Sequence, residues 1–248
     1  MKKIILVTGG DGRFAKILKI KNKKLNLYFA NKNECNILNI NSLEKIVKKI
    51  KPKIIFHCAG LSRPMYIHKK NIIKSIDLNI IGTANITKVC KKNDIKLVYF
   101  STGYVYEGKK GNYSEEDPVK PFNNYGLSKL GGECAARMYE NSLVLRLTMT
   151  EKPFKYKKAY SNLFTNFMFH EEVVELLPLI INQRGIINVG GKSQSVYLFA
   201  KSYDTKIKKI KLNKKSKLPP RQTMNTVKLK KILNKKSNQN LSTSNKLI

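Results

Sequence analysis

The sequence predicts an α/β protein with a doubly wound parallel sheet of the Rossmann type, followed by a smaller C-terminal lobe. Two observations lead to this prediction. Short unbroken runs of branched apolar residues alternate with amphipathic helical segments, and the first run ends directly in a glycine-rich turn. Unbroken apolar runs are typical of parallel strands covered on both faces, and strand–helix alternation is typical of a doubly wound sheet. A chain of 248 residues is long enough to bury such a core.

The elements of the sheet follow in order from these runs. Strands are predicted at Ile4–Val7, Ile54–Phe56, Leu97–Phe100 and Leu143–Leu147. Apolar residues at helical spacing predict helices at Ser42–Ile50, Ile80–Lys92 and Leu127–Tyr139. Together these elements place a Rossmann domain over residues 1–148.

The pattern becomes looser after residue 148. Helices are predicted at Glu171–Ile181, Val196–Tyr203 and, shorter, Val227–Leu233, and Gly185–Gly191 predicts a strand. We therefore expect a small lobe over residues 149–234, of which one strand and helix (185–203) return to the sheet. Residues 235–248 are dominated by Lys, Asn and Ser and are expected to form a disordered tail.

Composition argues against several classes of protein. No apolar run approaches the roughly 20 residues that a membrane-spanning helix needs. The short apolar start runs into a turn and not into a signal-peptide cleavage site, so a cytoplasmic protein without a membrane partner is expected. The four cysteines form no Cys-x-x-Cys pair and are interpreted as buried small residues in a reducing compartment. The three histidines lack metal-ligand spacing, so no metal site is predicted.

The formal net charge of +33 is spread over the whole chain. A nucleic-acid-binding surface would concentrate the charge in a patch or stripe, and Arg, which reads bases and phosphates better than Lys, is rare here. We therefore interpret the charge as a solvated Lys-rich surface that attracts small anionic ligands, and we predict no nucleic-acid partner.

The first chemical motif is the turn from Gly9 to Ala15, directly after the opening strand. Gly9 makes the tight turn, Gly12 lets the backbone approach a pyrophosphate, and the small Ala15 lets the next helix pack close to the sheet. The N-terminus of that helix then directs free N–H groups at the phosphates. An ordinary strand-to-helix turn is the alternative, but the position at the start of a βαβ pattern favours a dinucleotide site.

The second motif pairs Tyr125 with Lys129, one helical turn apart on the same face. An unperturbed Tyr has a pKa of about 10, and a nearby cation is expected to lower it toward the range useful for acid–base catalysis. Such a pair also arises by chance in Lys-rich helices. Ser101 and Thr102 strengthen the catalytic interpretation, because hydroxyls that end a parallel strand lie at the sheet edge where ligands bind. A simple ST-turn is the alternative for that pair.

Together these motifs resemble the extended short-chain dehydrogenase/reductases, which include nucleotide-sugar epimerases, dehydratases and reductases. The segments that carry the resemblance are Thr8–Ala15, His57–Gly60, Asn79–Asn85, Ser101–Gly108 and Tyr125–Glu133. Within this family the chain is most similar to the dTDP-4-dehydrorhamnose reductases, on Ser101–Gly108, Glu116–Pro118, Tyr125–Glu133, Leu145–Thr148, Gly185–Gly191 and Pro220-Arg221. The match extends over nearly the whole chain.

The resemblance implies a cofactor, NADP (as NADPH) or NAD, and a role for each motif. Thr102 would hydrogen-bond a substrate carbonyl, Tyr125 would donate a proton, and Lys129 would bind the nicotinamide ribose and tune Tyr125. The other cofactor contacts would be Gly9, Asp11, Gly12, Arg13, Phe14, Lys32, Cys58, Ala59, Gly60 and Asn79. The stretch Tyr28–Lys32 after the second strand has no acidic residue for a ribose 2′-hydroxyl, and Lys32 could meet a 2′-phosphate, which favours NADP.

The leading hypothesis is an NAD(P)H-dependent reductase of a 4-keto-6-deoxy nucleotide sugar, serving deoxysugar and polysaccharide biosynthesis, with residues 149–234 as the substrate-binding lobe. An epimerase or dehydratase is an alternative. Dehydratases carry acidic residues next to the active-site Thr, whereas Gly103 and Tyr104 supply none beside Thr102. A non-catalytic regulatory subunit, similar to the β subunit of methionine adenosyltransferase, is a second alternative. The short stretch between Thr148 and Phe167, where the family usually has another helix and strand, favours it. A homodimer is left open.

Two further departures concern single residues. Gly103 stands where the reductases usually carry Asp. Asn36 and Asn39 stand where a carboxylate near the adenine is common in the family.

Overall fold

The structure is a computed structural model that describes residues 3–213 and 215–244. The strands within these residues are β1 (Ile4–Thr8), β2 (Asn26–Ala30), β3 (Ile54–His57), β4 (Lys96–Thr102), β5 (Ser142–Leu147), β6 (Met149–Thr150), β7 (Lys158–Tyr160), β8 (Phe164–Thr165), β9 (Met168–Phe169), β10 (Gly185–Val189), β11 (Gln194–Ser195) and β12 (Lys208–Ile210). The α-helices are α1 (Arg13–Lys21), α2 (Ile40–Ile50), α3 (Ile67–Lys70), α4 (Ile72–Ile76), α5 (Gly82–Lys92), α6 (Asn124–Arg137), α7 (His170–Ile180), α8 (Val196–Lys201) and α9 (Val227–Ser244). A π-helical turn (Asp77–Ile81) joins α4 to α5, and a 3-10 turn (Gly103–Val105) follows β4.

Six strands form one parallel sheet in the order β10-β5-β4-β3-β1-β2. Starting from β1, the chain first adds β2 on one side of it and then β3, β4, β5 and β10 on the other side. The switch point of the strand order therefore lies between β1 and β3. In open α/β sheets the ligand crevice lies at the carboxyl ends of the strands at this switch point. The prediction of a doubly wound Rossmann-type fold is confirmed.

Helices cover both faces of the sheet because successive strand residues point to opposite sides. Residues Ile5 and Val7 of β1 pack with Phe14, Ala15 and Leu18 of α1 and with the apolar side of α7. The intervening Leu6 packs on the other face, with the buried side chains of α2 and α5. Both faces of each central strand are therefore apolar, which explains the unbroken runs in the sequence.

Helix α2 shows how local sequence sets the ends of an element. The side chain of Asn39 accepts a hydrogen bond from the backbone N–H of Ser42 at 3.0 Å and caps the N-terminus. At the other end Lys51 adopts a left-handed conformation with a φ of 50°, and Pro52 follows. Since Pro cannot continue a helix, the predicted end at Ile50 matches the structure.

The C-terminal lobe is built from short strand pairs, with β7 beside β12, β8 beside β11 and β6 beside β9. Its own apolar cluster contains Ala159, Leu163, Val196, Ala200 and Ile207. Strand β10 returns to the sheet as predicted, but α8 stays in the lobe, because Val196 and Ala200 pack in that cluster. The helices that return to cover the sheet are α7 and α9. Between β5 and α7 the described chain has no helix.

Helix α9 continues to Ser244, whereas the sequence predicts a disordered tail from residue 235. No Gly or Pro follows Pro220, so nothing in the chain interrupts a helix that starts at Val227. The last four residues of the predicted tail, 245–248, lie outside the described residues. None of the helices described is both long and apolar enough to cross a membrane.

Candidate active site at the switch point of the sheet

Thr102 and Tyr125 meet at the carboxyl end of β4. Thr102 is the last residue of that strand, and its hydroxyl accepts a hydrogen bond from the backbone N–H of Tyr104 at 3.2 Å. Tyr125 lies in the first turn of α6, where Asn123 caps the helix by accepting from the N–H of Gly126 at 2.8 Å. The Thr102 hydroxyl is close enough to the Tyr125 phenol to favour its ionised form and so to oppose the rise of its pKa. The structure therefore brings together the strand-end hydroxyl and the phenol that the sequence predicted as partners.

The electrostatics of Tyr125 differ from the prediction. Burial raises the pKa of its phenol to about 12, and the groups that work against this rise are Thr102, Arg63 and Arg13. Lys129 is not among them. Burial also lowers the pKa of the Lys129 ammonium group to about 7. A phenol with a raised pKa stays protonated at neutral pH, so Tyr125 carries the proton that the predicted donor needs.

The Lys129 ammonium lies 4.1 Å from the centroid of the Tyr99 ring. The face of an aromatic ring attracts a cation and so favours the charged form of Lys129. The Tyr99 hydroxyl in turn donates to the backbone carbonyl of Lys129 at 3.0 Å. Tyr99 therefore supports both the helix and the side chain of Lys129.

Replacing Lys129 with Met is expected to stabilise the protein more at pH 6 than at pH 9.5. The lowered pKa means that between about pH 7 and the ordinary value of 10.5 the unfolded state binds more protons at this site, so wild-type stability rises with pH across that window. Below pH 7 the folded protein bears the full cost of burying the charge. Urea unfolding of both proteins at the two pH values measures the difference, with the exposed Lys88→Met as control. An equal change at both pH values would contradict this.

The glycine turn between β1 and α1 provides backbone donors. Gly9 has a φ of +67°, and a Cβ there would lie 2.7 Å from the Cα of Ala59, so only glycine fits. Gly12 starts α1 without a side-chain cap. The N–H groups of Arg13, Phe14 and Ala15 have no acceptor among the described residues. Three free N–H groups at a helix N-terminus suit a phosphate.

A cavity of about 220 Å³ lies beside this turn. It is lined by Gly9, Asp11, Gly12, Lys32, Cys35, Asn36, Ile37, Cys58, Ala59, Gly60 and Leu78. Most of the predicted cofactor contacts thus share one cavity, and its glycines and free N–H groups fit the pyrophosphate and adenosine part of a dinucleotide. Phe14 can contribute only its N–H, because its ring packs in the core against Phe100, at 5.2 Å between centroids.

Asn79 acts differently from the prediction. Its side-chain amide donates to the carbonyl of Leu61 at 2.8 Å and to the Ser128 hydroxyl at 2.9 Å, and its oxygen accepts from the N–H of Leu61 at 2.7 Å. These three bonds fasten the loop after β3 to helix α6. Asn79 therefore positions the walls of the site, and the π-helical turn that carries it is a feature often found near functional sites.

His57 holds the ends of β1 and β3 together below the cavity. Its ring nitrogens lie 2.9 Å from the Thr8 hydroxyl and 3.1 Å from the Thr83 hydroxyl. Complete burial lowers the pKa of His57 to about 3, so the ring is neutral at physiological pH. Among the described residues no group of His, Cys, Asp and Glu could hold a metal ion. The absence of a metal site stays a prediction.

A buried ion pair supports the site from below. The Arg146 guanidinium donates to Glu133 Oε1 at 2.6 Å, and both side chains are almost completely buried. The second carboxylate oxygen of Glu133 accepts from the Ser101 hydroxyl at 2.8 Å, next to Thr102. The Tyr106 hydroxyl also accepts from Arg146, at 2.7 Å. This network ties α6, which carries Tyr125, to the ends of β4 and β5.

Sequence reasoning missed several residues of the site, namely Arg63, Glu151, His170 and the Glu133–Arg146 pair. The one sequence signal that could have found two of them, Arg63 and Arg146, is the scarcity of arginine: the chain has 43 lysines and six arginines. A chain that uses Lys almost everywhere keeps Arg where its planar, multiple donors matter. Glu133, Glu151 and His170 carry no such signal.

Comparison with known proteins agrees with this geometry. Residues 1–176 match the family model of the RmlD substrate-binding domain. The chain is 34% identical over 116 residues to the methionine adenosyltransferase 2 subunit β of Xenopus laevis, a match that covers 46% of this chain and 34% of that protein. It is 26% identical over 152 residues to a dTDP-4-dehydrorhamnose reductase of Aggregatibacter actinomycetemcomitans, covering 59% of this chain and 51% of that one. The matched segments thus span about a third to a half of these relatives.

The fold is also found among solved structures. A dTDP-4-dehydrorhamnose reductase of Bacillus anthracis, crystallised with NADP, superposes with a TM-score of 0.81 at 22% identity and covers 93% of this chain and 91% of its own. At this identity the likeness shows the fold alone. The family match covers well over half of the chain, and the chain therefore belongs to the RmlD substrate-binding domain family.

Proposed function

We propose that this protein is an NAD(P)H-dependent reductase that acts on the ketone of a 4-keto-6-deoxy nucleotide sugar in deoxysugar or polysaccharide biosynthesis. The observation that carries the proposal is the neighbouring pair of Thr102 and Tyr125, with the buried Lys129 one turn along α6, at the edge of the sheet beside the glycine turn. Family membership and the dTDP-4-dehydrorhamnose reductases among the similar proteins support the same assignment.

In this proposal the reduction divides between cofactor and protein. The bound cofactor would supply the hydride for the carbonyl carbon. The Tyr125 phenol donates its proton to the carbonyl oxygen, which balances the reduction of a ketone to an alcohol. The Thr102 hydroxyl donates a hydrogen bond to the same oxygen and holds it in place. Because the pKa of Lys129 is lowered to about 7, its amino group can both accept and release a proton at neutral pH.

NADP is the cofactor that the cavity favours. Glu34, the acidic residue nearest to the end of β2, accepts from the Tyr28 hydroxyl at 2.8 Å and from the N–H of Asn31 at 3.1 Å, and it does not line the cavity. Lys32 does line it. A ribose 2′-phosphate near the end of β2 would therefore meet Lys32 and not Glu34, since the one carboxylate that lines the cavity, Asp11, belongs to the glycine turn.

A Cβ at Gly103 would lie 2.9 Å from the Thr148 hydroxyl and 3.1 Å from the sulfur of Met224. This position therefore has no room for an acidic side chain, neither the Asp usual in the reductases nor the acidic residue of a dehydratase. A non-catalytic nucleotide-binding subunit is the second candidate, and the observation in its favour is the similarity to methionine adenosyltransferase 2 subunit β. An epimerase on this fold would use the same three catalytic residues.

The proposal is tested by NADPH titration and by NADPH oxidation with a panel of 4-keto-6-deoxy nucleotide sugars at neutral pH. We expect wild type to bind NADPH and oxidise it with at least one sugar, and Gly12→Val to bind NADPH at least about tenfold more weakly. Gly12 has an ordinary φ of −66°, so the variant can keep its backbone while the added side chain blocks the approach of the pyrophosphate.

The results separate the two candidates. Binding of NADPH without oxidation by any sugar would favour the regulatory subunit over the reductase. Undiminished NADPH affinity in Gly12→Val would contradict the assignment of the glycine turn. Circular dichroism of the variant checks that it is folded.

A further inference from the structure

Two of the six arginines converge on one carboxylate beside the candidate active site. Arg13 Nη1 lies 3.2 Å from Glu151 Oε1, and Arg63 Nη1 lies 4.0 Å from Glu151 Oε2. Lys155 Nζ lies 2.5 Å from Glu151 Oε2. Three cations therefore surround a single carboxylate, whose side chain is only 16% exposed. The group carries a net charge of +2 in this cleft.

These residues come from three separate parts of the chain. Arg13 opens α1, Arg63 lies in the loop after β3, and Glu151 and Lys155 lie in the lobe segment after β6. Arg13 also donates to the Ser62 hydroxyl at 3.2 Å, which joins the glycine turn to the loop that carries Arg63. The cluster thus connects the glycine turn to the lobe across the mouth of the cleft.

Arg63 has most of its binding capacity free. A guanidinium group has five N–H donors. In the described part of the chain none of those of Arg63 makes a hydrogen bond, and its contact with Glu151 is a charge contact at 4.0 Å. Its side chain is 39% exposed and so is open to a ligand.

The charge of Arg63 also acts on the phenol of Tyr125. This charge favours the ionised forms of both Tyr125 and Tyr104, against the burial that raises the pKa of each phenol. The rings of Tyr104 and Tyr125 lie 6.0 Å apart, edge to face. A ligand that places a carbonyl at Tyr125 would therefore bring its neighbouring substituents toward Arg63.

We propose that Arg63, held at the cleft by the Glu151 cluster with Arg13 and Lys155, binds the diphosphate of the sugar-nucleotide substrate. This inference rests on the proposed function, because it takes a nucleotide sugar as the ligand. Glu151 holds the three cations close together, and the net charge of +2 that is left attracts the anionic substrate. Arg forms paired hydrogen bonds with carboxylates and phosphates, which Lys cannot.

The test compares probes that differ only in their anionic groups. UDP-glucose and UDP-glucuronic acid share a diphosphate but differ in the carboxylate, and dTDP-glucose and dTDP-glucuronic acid repeat the comparison with the other base. UDP and dTDP lack the sugar. Each is titrated calorimetrically into the full chain, with and without saturating NADPH, for wild type, Arg63→Gln and a control, Arg184→Gln. Arg184 is exposed and lies just before β10, at the opposite end of the sheet strands.

Charged hydrogen bonds contribute about 1.5–3 kcal/mol, so Arg63→Gln should weaken the binding affinity for the ligand that carries the recognised oxyanion by about 10–100-fold. Loss confined to the glucuronic acid probes would assign Arg63 to a ring carboxylate, which a 6-deoxy sugar lacks, and would overturn the proposal. An equal loss for all probes, UDP and dTDP included, identifies the diphosphate. Arg184→Gln should bind each probe as wild type does, and Arg63→Lys should recover only part of the affinity.

Two further results would overturn the inference. In one, no probe binds wild type, or none binds Arg63→Gln more weakly than the control. In the other, the loss appears only in NADPH affinity, which would assign Arg63 to the cofactor. These outcomes are independent of the reductase proposal, which fails separately if NADPH is bound and no keto sugar is reduced.

Discussion

Replacing Tyr125 with Phe is expected to lower turnover by about 10²–10⁴-fold while NADPH affinity stays within about twofold of wild type. The variant removes the proton donor and keeps the ring, which packs edge-on against Tyr104 and 5.0 Å from the His68 ring. The loss should therefore fall on kcat and not on cofactor binding. Steady-state NADPH oxidation and direct NADPH titration measure the two effects separately.

A matched control is Tyr203→Phe, which removes the hydroxyl of a half-exposed Tyr in the lobe. It should keep wild-type turnover. Wild-type turnover in Tyr125→Phe would rule out this phenol as the acid. An equal loss of turnover in both variants would point to a general effect on the fold.

The second large effect is expected at the buried pair under the site. Glu133→Ala should lower the free energy of unfolding by about 3–5 kcal/mol, because it leaves the Arg146 guanidinium buried without its carboxylate. The Arg146 side chain is 1% exposed and cannot reach water without moving β5. The same change removes the acceptor of the Ser101 hydroxyl. Urea unfolding followed by circular dichroism measures the loss.

The double variant Glu133→Leu/Arg146→Met is the informative control. Apolar replacement of both members of a buried ion pair is often neutral or stabilising, so the double variant should recover most of the stability that Glu133→Ala loses. If Glu133→Ala costs less than about 1 kcal/mol, the pair is not a major source of stability. If the double variant is as unstable as Glu133→Ala, the loss comes from packing and not from the unpaired charge.

The sequence supports strong predictions where the signal is local. Apolar runs such as Ile4–Val7 and Leu143–Leu147 became strands because side chains of a central parallel strand are buried on both faces. The glycine turn could be placed because a left-handed φ at Gly9 excludes other residues. The pair Tyr125 and Thr102 could be matched because strand ends and helix starts meet at one edge of such a sheet.

Predictions were weaker where the outcome depends on burial in three dimensions. The spacing of Tyr125 and Lys129 suggested that the ammonium lowers the pKa of the phenol. In the structure both groups are buried, and the cost of burying a charge raises the pKa of Tyr125 and lowers that of Lys129. Spacing along a helix does not reveal this cost, because the surrounding atoms come from other parts of the chain.

By itself, the sequence determined the Rossmann-type class of the sheet, the glycine turn and the residues that meet at the end of β4. Each of these follows from periodicity or from the conformational limits of single residues. Only the tertiary structure decided that Arg13, Arg63 and Glu151 converge, that α8 stays in the lobe and that Asn79 fastens a loop to α6. Arg13 and Glu151 are 138 residues apart, and no local pattern encodes a contact between side chains that the fold alone brings together.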